Sequence, residues 1–386
     1  MTGFLLLFSI ITLYYLGAVI FLWRGLKKVG QTPSGPPQNL EQSLNFSIVI
    51  AARNEESVIG RCLRSVFSQN LPEDRYEVIV VNDRSNDRTP KVCEEYRQRH
   101  SSLSVITVTE TPSGIAPKKH AVMMGIAQAR NEVIVVTDAD CVVLPEWLAT
   151  IDRNFTETAG LVQGITAYMR PEGMSRFFWS LQAIDFLSHG VVAAGAIGAG
   201  MPLNSNANNF AFRRKAFEEV GGYGSVSQKA VSGDDDFLLQ RIAESGRWGV
   251  SFMIDPAGAV ATRPAPTLKG IFEQRKRWGS KTVNYGPRQT VFLGGVFMFY
   301  CGCAATLIYG IINPAYLPVF GIMLAAKIAG EYLLMIPGTA LFNQKHLRVY
   351  IIPASLLQLP MVIAAVIFGV FGKFSWKGER YKRVVK

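Results

Sequence analysis

Cysteine is scarce in this chain: 386 residues contain five, Cys62, Cys93, Cys141, Cys301 and Cys303, with no paired spacing. That excludes a disulfide framework, and Cys301-x-Cys303 inside an apolar run is a poor zinc site; a reduced cytosolic face is the plain reading. There is no internal repeat, no long low-complexity tract and no nucleic-acid-binding motif. Acidic residues are outnumbered, 29 Asp and Glu against 40 Lys and Arg, for a net charge of +11. In a chain that is 49% hydrophobic, this excess points to anionic lipid headgroups rather than to nucleic acid. Charge is absent from Phe4 to Trp23, 20 residues that suffice to cross a bilayer core. No Lys or Arg precedes the run and no small-residue cleavage pattern follows, which favours an uncleaved anchor over a signal peptide. Arg24, Lys27 and Lys28 come next, so the positive-inside rule puts the N-terminus outside and the following domain in the cytoplasm.

The rest divides by composition. After the anchor (1–24), residues 25–45 read as a linker with Pro33, Gly35, Pro36 and Pro37. Residues 46–265 read as a globular domain, 266–290 as a basic interfacial segment, 291–372 as membrane helices and 373–386 as a basic tail. The membrane region holds three apolar stretches, Val291–Ile312, Ala315–Ile336 and Val349–Phe371. Lys327 and Glu331 in the middle stretch are four apart and can pair on one helix face. Four spans would return the basic tail to the outside, against the positive-inside rule, so one stretch is expected to be re-entrant or interfacial. Phe177–Met201, with Asp185 and His189, is apolar but not clean enough for a span and reads as interfacial; His189 reads as a packed polar residue.

The globular part opens as strand, helix, strand. Phe46–Ala52 and Glu77–Val81 read as buried strands, and between them Val58, Leu63, Val66 and Phe67 share a helical face. Polar residues follow each strand: Arg53-Asn54-Glu55-Glu56, then Asn82-Asp83-Arg84-Ser85-Asn86-Asp87-Arg88-Thr89. A third apolar run, Val133–Thr137, ends in Asp138-Ala139-Asp140. Ligands of open α/β sheets bind beyond the carboxyl ends of the strands, and two carboxylates one residue apart can share a hard divalent cation with phosphate oxygens. Each segment also has a bland reading: Asp87 or Ser85 as a cap, Asp140 as a cap, and Asp234-Asp235-Asp236 as a solvated charge run.

Five motifs in order change the weighing: Ala-Ala-Arg-Asn54-Glu55-Glu56, Asn-Asp83-Arg-Ser-Asn-Asp87-Arg-Thr, Thr-Asp138-Ala-Asp140, Gly233-Asp234-Asp235 and Gln274-Arg275-Lys276-Arg277-Trp278. Together, over roughly residues 46 to 280, they resemble the membrane-bound branch of family 2 glycosyltransferases. The resemblance implies a GT-A fold: an α/β, Rossmann-like domain with a mostly parallel sheet, flanked by one N-terminal and about three C-terminal transmembrane helices. It implies Asn54, Glu55, Asp83 and Lys118 around the donor nucleotide, with Asp83 accepting from uracil. Lys119 is the alternative to Lys118, and Pro117 stands where the family has Gly. Asp138 and Asp140 would hold Mg²⁺ or Mn²⁺ on the diphosphate. Asp235 would be the general base, with Asp234, Asn208 and Asn209 in the sugar or acceptor pocket. Gln274 and Arg277 would meet the diphosphate, and Trp278 would offer a flat face to the acceptor. Ala51 and Arg84 depart from the usual Pro and Gly, and Arg84 alters the loop beside the base.

The expected reaction is inverting transfer of a sugar, glucose by preference, from a UDP-sugar to the hydroxyl of a membrane lipid such as a glycolipid precursor or a carotenoid. A processive polysaccharide synthase is the alternative; about four apolar spans are few for a polymer channel. A non-catalytic nucleotide-sugar-binding membrane protein is a third reading, opposed by the intact carboxylates. The partners expected are the UDP-sugar, a lipid acceptor and the membrane, with no nucleic acid.

Overall fold

The computed structural model describes residues 2–31, 44–224, 233–376 and 379–382. The chain forms two units, one of residues 31–171 and 202–264, the other of residues 1–30, 172–201 and 265–386.

The first unit is built on β1 (Phe46–Ala52), β2 (Tyr76–Asp83), β3 (Leu103–Val108), β4 (Val133–Asp138), β5 (Val142–Val143), β6 (Ala159–Gly164), β7 (Thr166–Tyr168), β8 (Phe210–Arg213), β9 (Gly249–Met253) and β10 (Val260–Thr262). Seven of these make one sheet in the order β3-β2-β1-β4-β8-β6-β9. The first four strands are parallel, β8 runs antiparallel between β4 and β6, and β9 is parallel to β6. The continuous apolar runs of β1, β2 and β4 are what a parallel sheet covered on both faces requires. One face packs Phe46, Ile48 and Ile50 with Ile59, Leu63, Val66 and Trp147. On the other lies the helix Pro117–Gln128, where a Cβ on Gly125 would stand 2.4 Å from Val49 Cγ1, so only glycine allows this approach. Register brings Ala51 of β1 opposite Val81 of β2 and Asp138 of β4, which aligns the carboxyl ends of all three strands. A small sheet, β5-β10-β7, closes over the end of β4.

The second unit is helical. Its helices are Thr2–Gln31, Arg176–Gly198, Leu268–Ser280, Pro287–Ile312, Leu317–Leu341 and Ile351–Phe371, followed by a hairpin of Lys373–Trp376 and Glu379–Lys382. The anchor helix thus runs past residue 24 into the segment read as linker; the Pro-rich residues 32–43 lie outside the described residues. Among the described residues, five helices could cross a membrane by length and composition, including Arg176–Gly198. That helix interrupts the 46–265 segment and groups with the other apolar helices.

Contacts order the long helices. Phe4 packs on Tyr309, Tyr14 donates to Val291 O at 3.3 Å, and Phe21 meets Phe292, so the N-terminal helix is antiparallel to Pro287–Ile312. Phe4 also meets Tyr316, Tyr15 donates to Lys327 O at 3.5 Å and Gly30 faces Leu341, so it is parallel to Leu317–Leu341. Helix Ile351–Phe371 begins where Arg348 donates to Ile336 O and Thr339 Oγ1. It ends where Gly369 approaches Lys276 O, and Lys276 Nζ donates to Lys373 O at 3.1 Å.

A polar chain runs through this unit. Lys327 is fully buried and pairs with Glu331, as the spacing implied; it also donates to Ser355 O and Oγ at 2.9 Å and to Gln358 Oε1 at 3.3 Å. Gln358 accepts from Tyr300 at 2.9 Å and donates to Asp185 at 3.4 Å, and Asp185 pairs with Arg275. Charges inside an apolar bundle persist when each has such partners.

Candidate functional site

The loops after β1 and β2 are stitched together. Asn54 N donates to Ser85 Oγ at 3.0 Å, Asn86 N to Asn54 Oδ1 at 2.9 Å and Glu55 N to Thr89 Oγ1 at 2.8 Å. Asp87 accepts from Glu56 N and Thr89 N, and Glu56 accepts from Arg88 N. Burial would raise Asp87, but these hydrogen bonds win and hold it below the usual carboxylate range. Asp87 is thus held in the loop, with its side chain on Thr89 N just ahead of the helix Thr89–Arg97. Asn54 and Arg84 both have positive φ, 56° and 52°. Asp83 ends β2 almost fully buried, and Arg84 Nε reaches its Oδ1 at 2.8 Å.

Asp138 and Asp140 lie at the end of β4. Asp138 Oδ1 accepts from Lys118 Nζ at 2.5 Å, which selects Lys118 over Lys119 for this edge. Asp140 Oδ2 accepts from Thr262 Oγ1 of β10 at 3.2 Å. Burial, then Asp138 and Glu55, raise the Asp140 carboxyl above its ordinary range, and Lys118 only partly offsets this. A cation would relieve that repulsion. Among the described residues no group of three or more His, Cys, Asp or Glu is disposed to hold a metal. Any ion bound at this edge would find two hard carboxylates and would leave its other positions to phosphate oxygens and water.

The acidic triplet divides by role. Gly233, at φ 96°, starts the helix Asp234–Glu244 and sets all three Asp at its N-terminus, where the helix dipole favours negative charge. Asp236 is completely buried and accepts from Ser205 N at 2.7 Å, so it holds the 203–205 segment. Asp235 is buried near its limit beside Lys119 and Tyr223. Burial lowers the Lys119 ammonium while Asp234 and Asp235 pull it back; burial and the same two carboxylates push Tyr223 well up. Repulsion within the triplet is thus met by the helix terminus, a backbone N–H and a lysine. Lys119 was visible in the sequence only as the second lysine of its pair.

One expected ligand contact is corrected. Asn209 Nδ2 donates to Ile165 O at 2.8 Å and Gly258 O at 2.9 Å, and its Oδ1 accepts from Trp147 Nε1 at 3.0 Å. With 1% exposure it belongs to the fold, not to a sugar pocket. Asn209→Ala should lower stability by about 3 kcal/mol by stranding the buried indole N–H and two carbonyls; chemical denaturation of the catalytic unit's tryptophan fluorescence would show it. Asn208 Oδ1 accepts from Thr166 Oγ1 at 2.8 Å.

In helix Leu268–Ser280, Arg275, Lys276, Gly279 and Ser280 are buried, while Gln274, Arg277 and Trp278 are half-buried on another face. Trp278 does not present an open ring: Arg275 lies over it, 4.1 Å from the centroid, with Phe186 stacked and His189 edge-on.

A mixed sheet with acidic side chains at the carboxyl ends of its parallel strands, joined to long apolar helices, defines a GT-A type of protein. Residues 47–221, which include Asp83, Asp138 and Asp140, match the family model described as glycosyl transferase family 2. A beta-monoglucosyldiacylglycerol synthase from Synechocystis is 29% identical over 60% of this chain and 46% of its own length. A poly-beta-1,6-N-acetyl-D-glucosamine synthase from Staphylococcus epidermidis is 25% identical over 62% and 54%. The chain thus spans about half the length of these curated relatives. A solved mannosyltransferase from Pyrobaculum calidifontis, in complex with GDP-Man and Mn²⁺, shares the fold: TM-score 0.60, 21% identity, covering 95% of this chain and 99% of that one.

Proposed function

We propose that the protein is a membrane-bound inverting glycosyltransferase that moves a sugar, glucose by preference, from a UDP-sugar to the hydroxyl of a lipid acceptor. The observation that carries this is the gathering of Asp83, Asp138 and Asp140 at one edge of the sheet, with Lys118 on Asp138. The likeness to a glycolipid synthase supports the acceptor class.

Asp83 takes the imide N–H of uracil, and the stitched Asn54–Glu55 loop walls the same pocket. Lys118 lowers the local negative charge where the diphosphate arrives. Asp138 and Asp140 would hold Mg²⁺ or Mn²⁺, which would supply Lewis-acid help to the departing diphosphate. Asp235 takes the proton of the acceptor hydroxyl as its oxygen bonds to the anomeric carbon and the bond to UDP breaks, one displacement that inverts the centre.

The test is product analysis after membranes are fed labelled UDP-glucose, UDP-galactose and UDP-N-acetylglucosamine. Label in organic-soluble, low-mass material supports the proposal. High-mass polymer would sink it in favour of a polysaccharide synthase, the reading favoured by the second relative. Mn²⁺ should also raise the thermal midpoint of the purified protein, and Asp138→Asn should abolish that rise; an unchanged rise would move the metal elsewhere.

The parity of the apolar stretches has a proposed resolution: three crossings. Chain on both sides of Arg176–Gly198 supplies strands to one sheet, so that helix has both ends on one side of the bilayer. Helix Ile351–Phe371 starts by the end of Leu317–Leu341 and finishes beside Lys276, a few residues before Pro287, so it also returns to its starting side. A reporter fused after the basic tail should then report the same side as one in the catalytic unit; opposite sides would restore the fourth crossing.

A further inference from the structure

Lys118 and Asp138 pair at the working edge of the sheet, Nζ to Oδ1 at 2.5 Å, and both side chains are 30% exposed. At that exposure an ion pair is weak, and its partners can be exchanged. Lys118 also stands in the first turn of the helix Pro117–Gln128, which has no acidic residue there and no side-chain cap. A cation at a helix N-terminus works against the dipole, whereas an anion is favoured. Asp138 supplies that anion from outside the helix. A diphosphate arriving beyond β4 would supply more of it.

For a divalent ion the same pair is an obstacle. Asp138 and Asp140 are the two hard carboxylates here, and Asp140 Oδ2 already accepts from Thr262 Oγ1 at 3.2 Å. Lys118 holds one oxygen of Asp138. An ion on the other oxygen would meet an ammonium across a single carboxylate group, and like charges at that range repel. We propose that Lys118 couples metal and nucleotide by exchanging partners: it leaves Asp138 for the diphosphate, and so hands the carboxylate to the metal only as the donor binds. Metal and nucleotide then each raise the affinity of the other, by the same factor. This rests on the reading of Asp138 as a metal ligand beside the diphosphate. Bonds between metal and phosphate add coupling of their own, but they do not depend on residue 118. The share carried by the lysine is what a substitution removes.

The test is calorimetric titration of the purified full chain with Mn²⁺, alone and with saturating UDP, for the wild type, Lys118→Met, Lys118→Arg and Asp138→Asn. The wild type should bind Mn²⁺ weakly alone and more tightly with UDP. Lys118→Met should bind Mn²⁺ alone about tenfold more tightly, and its gain from UDP should shrink by about tenfold, a factor usual for coupled sites. Lys118→Arg keeps the charge and the carboxylate pairing and should follow the wild type. Asp138→Asn should lose most of the Mn²⁺ affinity. If Lys118→Met binds Mn²⁺ alone no more tightly than the wild type while Asp138→Asn loses it, the exchange is overturned and the metal reading stands. If Lys118→Arg shifts as far as Lys118→Met, the effect is not one of charge and the proposal falls. It falls too if UDP leaves the Mn²⁺ affinity of the wild type unchanged. If Asp138→Asn binds Mn²⁺ like the wild type, the metal is not at Asp138 and both readings fall. Unchanged metal-free thermal midpoints in the variants keep these outcomes free of folding defects.

Discussion

Asp235→Asn lowers the transfer rate by about a thousandfold, inside the range usual for loss of a general base, and leaves UDP affinity within about twofold of the wild type. A thousandfold corresponds to about 4 kcal/mol of barrier. The substitution keeps the shape of a side chain that is 9% exposed and preserves the helix start after Gly233. What it removes is the negative charge that receives the acceptor's proton. The neighbour Tyr223 is a poor replacement, its phenol pushed well up in pKa by burial and by Asp234 and Asp235. Rapid-quench transfer assays beside equilibrium UDP titration separate the cases. Equal loss of transfer and UDP binding would make Asp235 a donor-binding residue. Unimpaired transfer would move the base elsewhere.

Asp185→Ala lowers the stability of the helical unit by about 3 kcal/mol, because it strands a guanidinium that has few other ways to be solvated. The Arg275 side chain is 8% exposed and its carboxylate partner 23%. The same change also frees the cation that lies over Trp278. The double variant Asp185→Leu with Arg275→Met removes both charges and should recover most of the stability. Melting followed in detergent for the two singles and the double gives the coupling. If Asp185→Ala melts like the wild type, the pair is incidental.

Much of the site was legible because parallel strands leave a clear trace. Buried on both faces, β1, β2 and β4 read as unbroken apolar runs, and the residues that end them are the ones at the working edge. Lys327 and Glu331 were legible from helical spacing alone. Other features depend on contacts far apart in the chain. Nothing in Phe210–Arg213 announces that it lies antiparallel between β4 and β6. Asn209, directly before that strand, looked like a sugar ligand because its three partners, Trp147, Ile165 and Gly258, are scattered over the chain. In Gln274–Trp278 the helical period separates two faces, but which one is buried follows from where Gly279 meets Ala365. Arg84 was visible as an oddity; its fork on Asp83 was not.

The insertion of Arg176–Gly198 between β7 and β8 bears on how the protein is made. The ribosome delivers β1 to β7 first, then a long greasy helix, and only afterwards the strand that fits between β4 and β6. Until residues 210–213 emerge, β4 and β6 each have an unfilled flank, an aggregation hazard for a nascent chain. On the proposed three-crossing topology, the insertion machinery would leave this helix on the near side of the bilayer instead of threading it through. Were it threaded, β8 would be delivered to the wrong compartment and the sheet could not be completed. Marginal apolarity, with Asp185 and His189 in the middle of the helix, is then a safeguard during biosynthesis, and making the segment greasier should misroute the nascent chain.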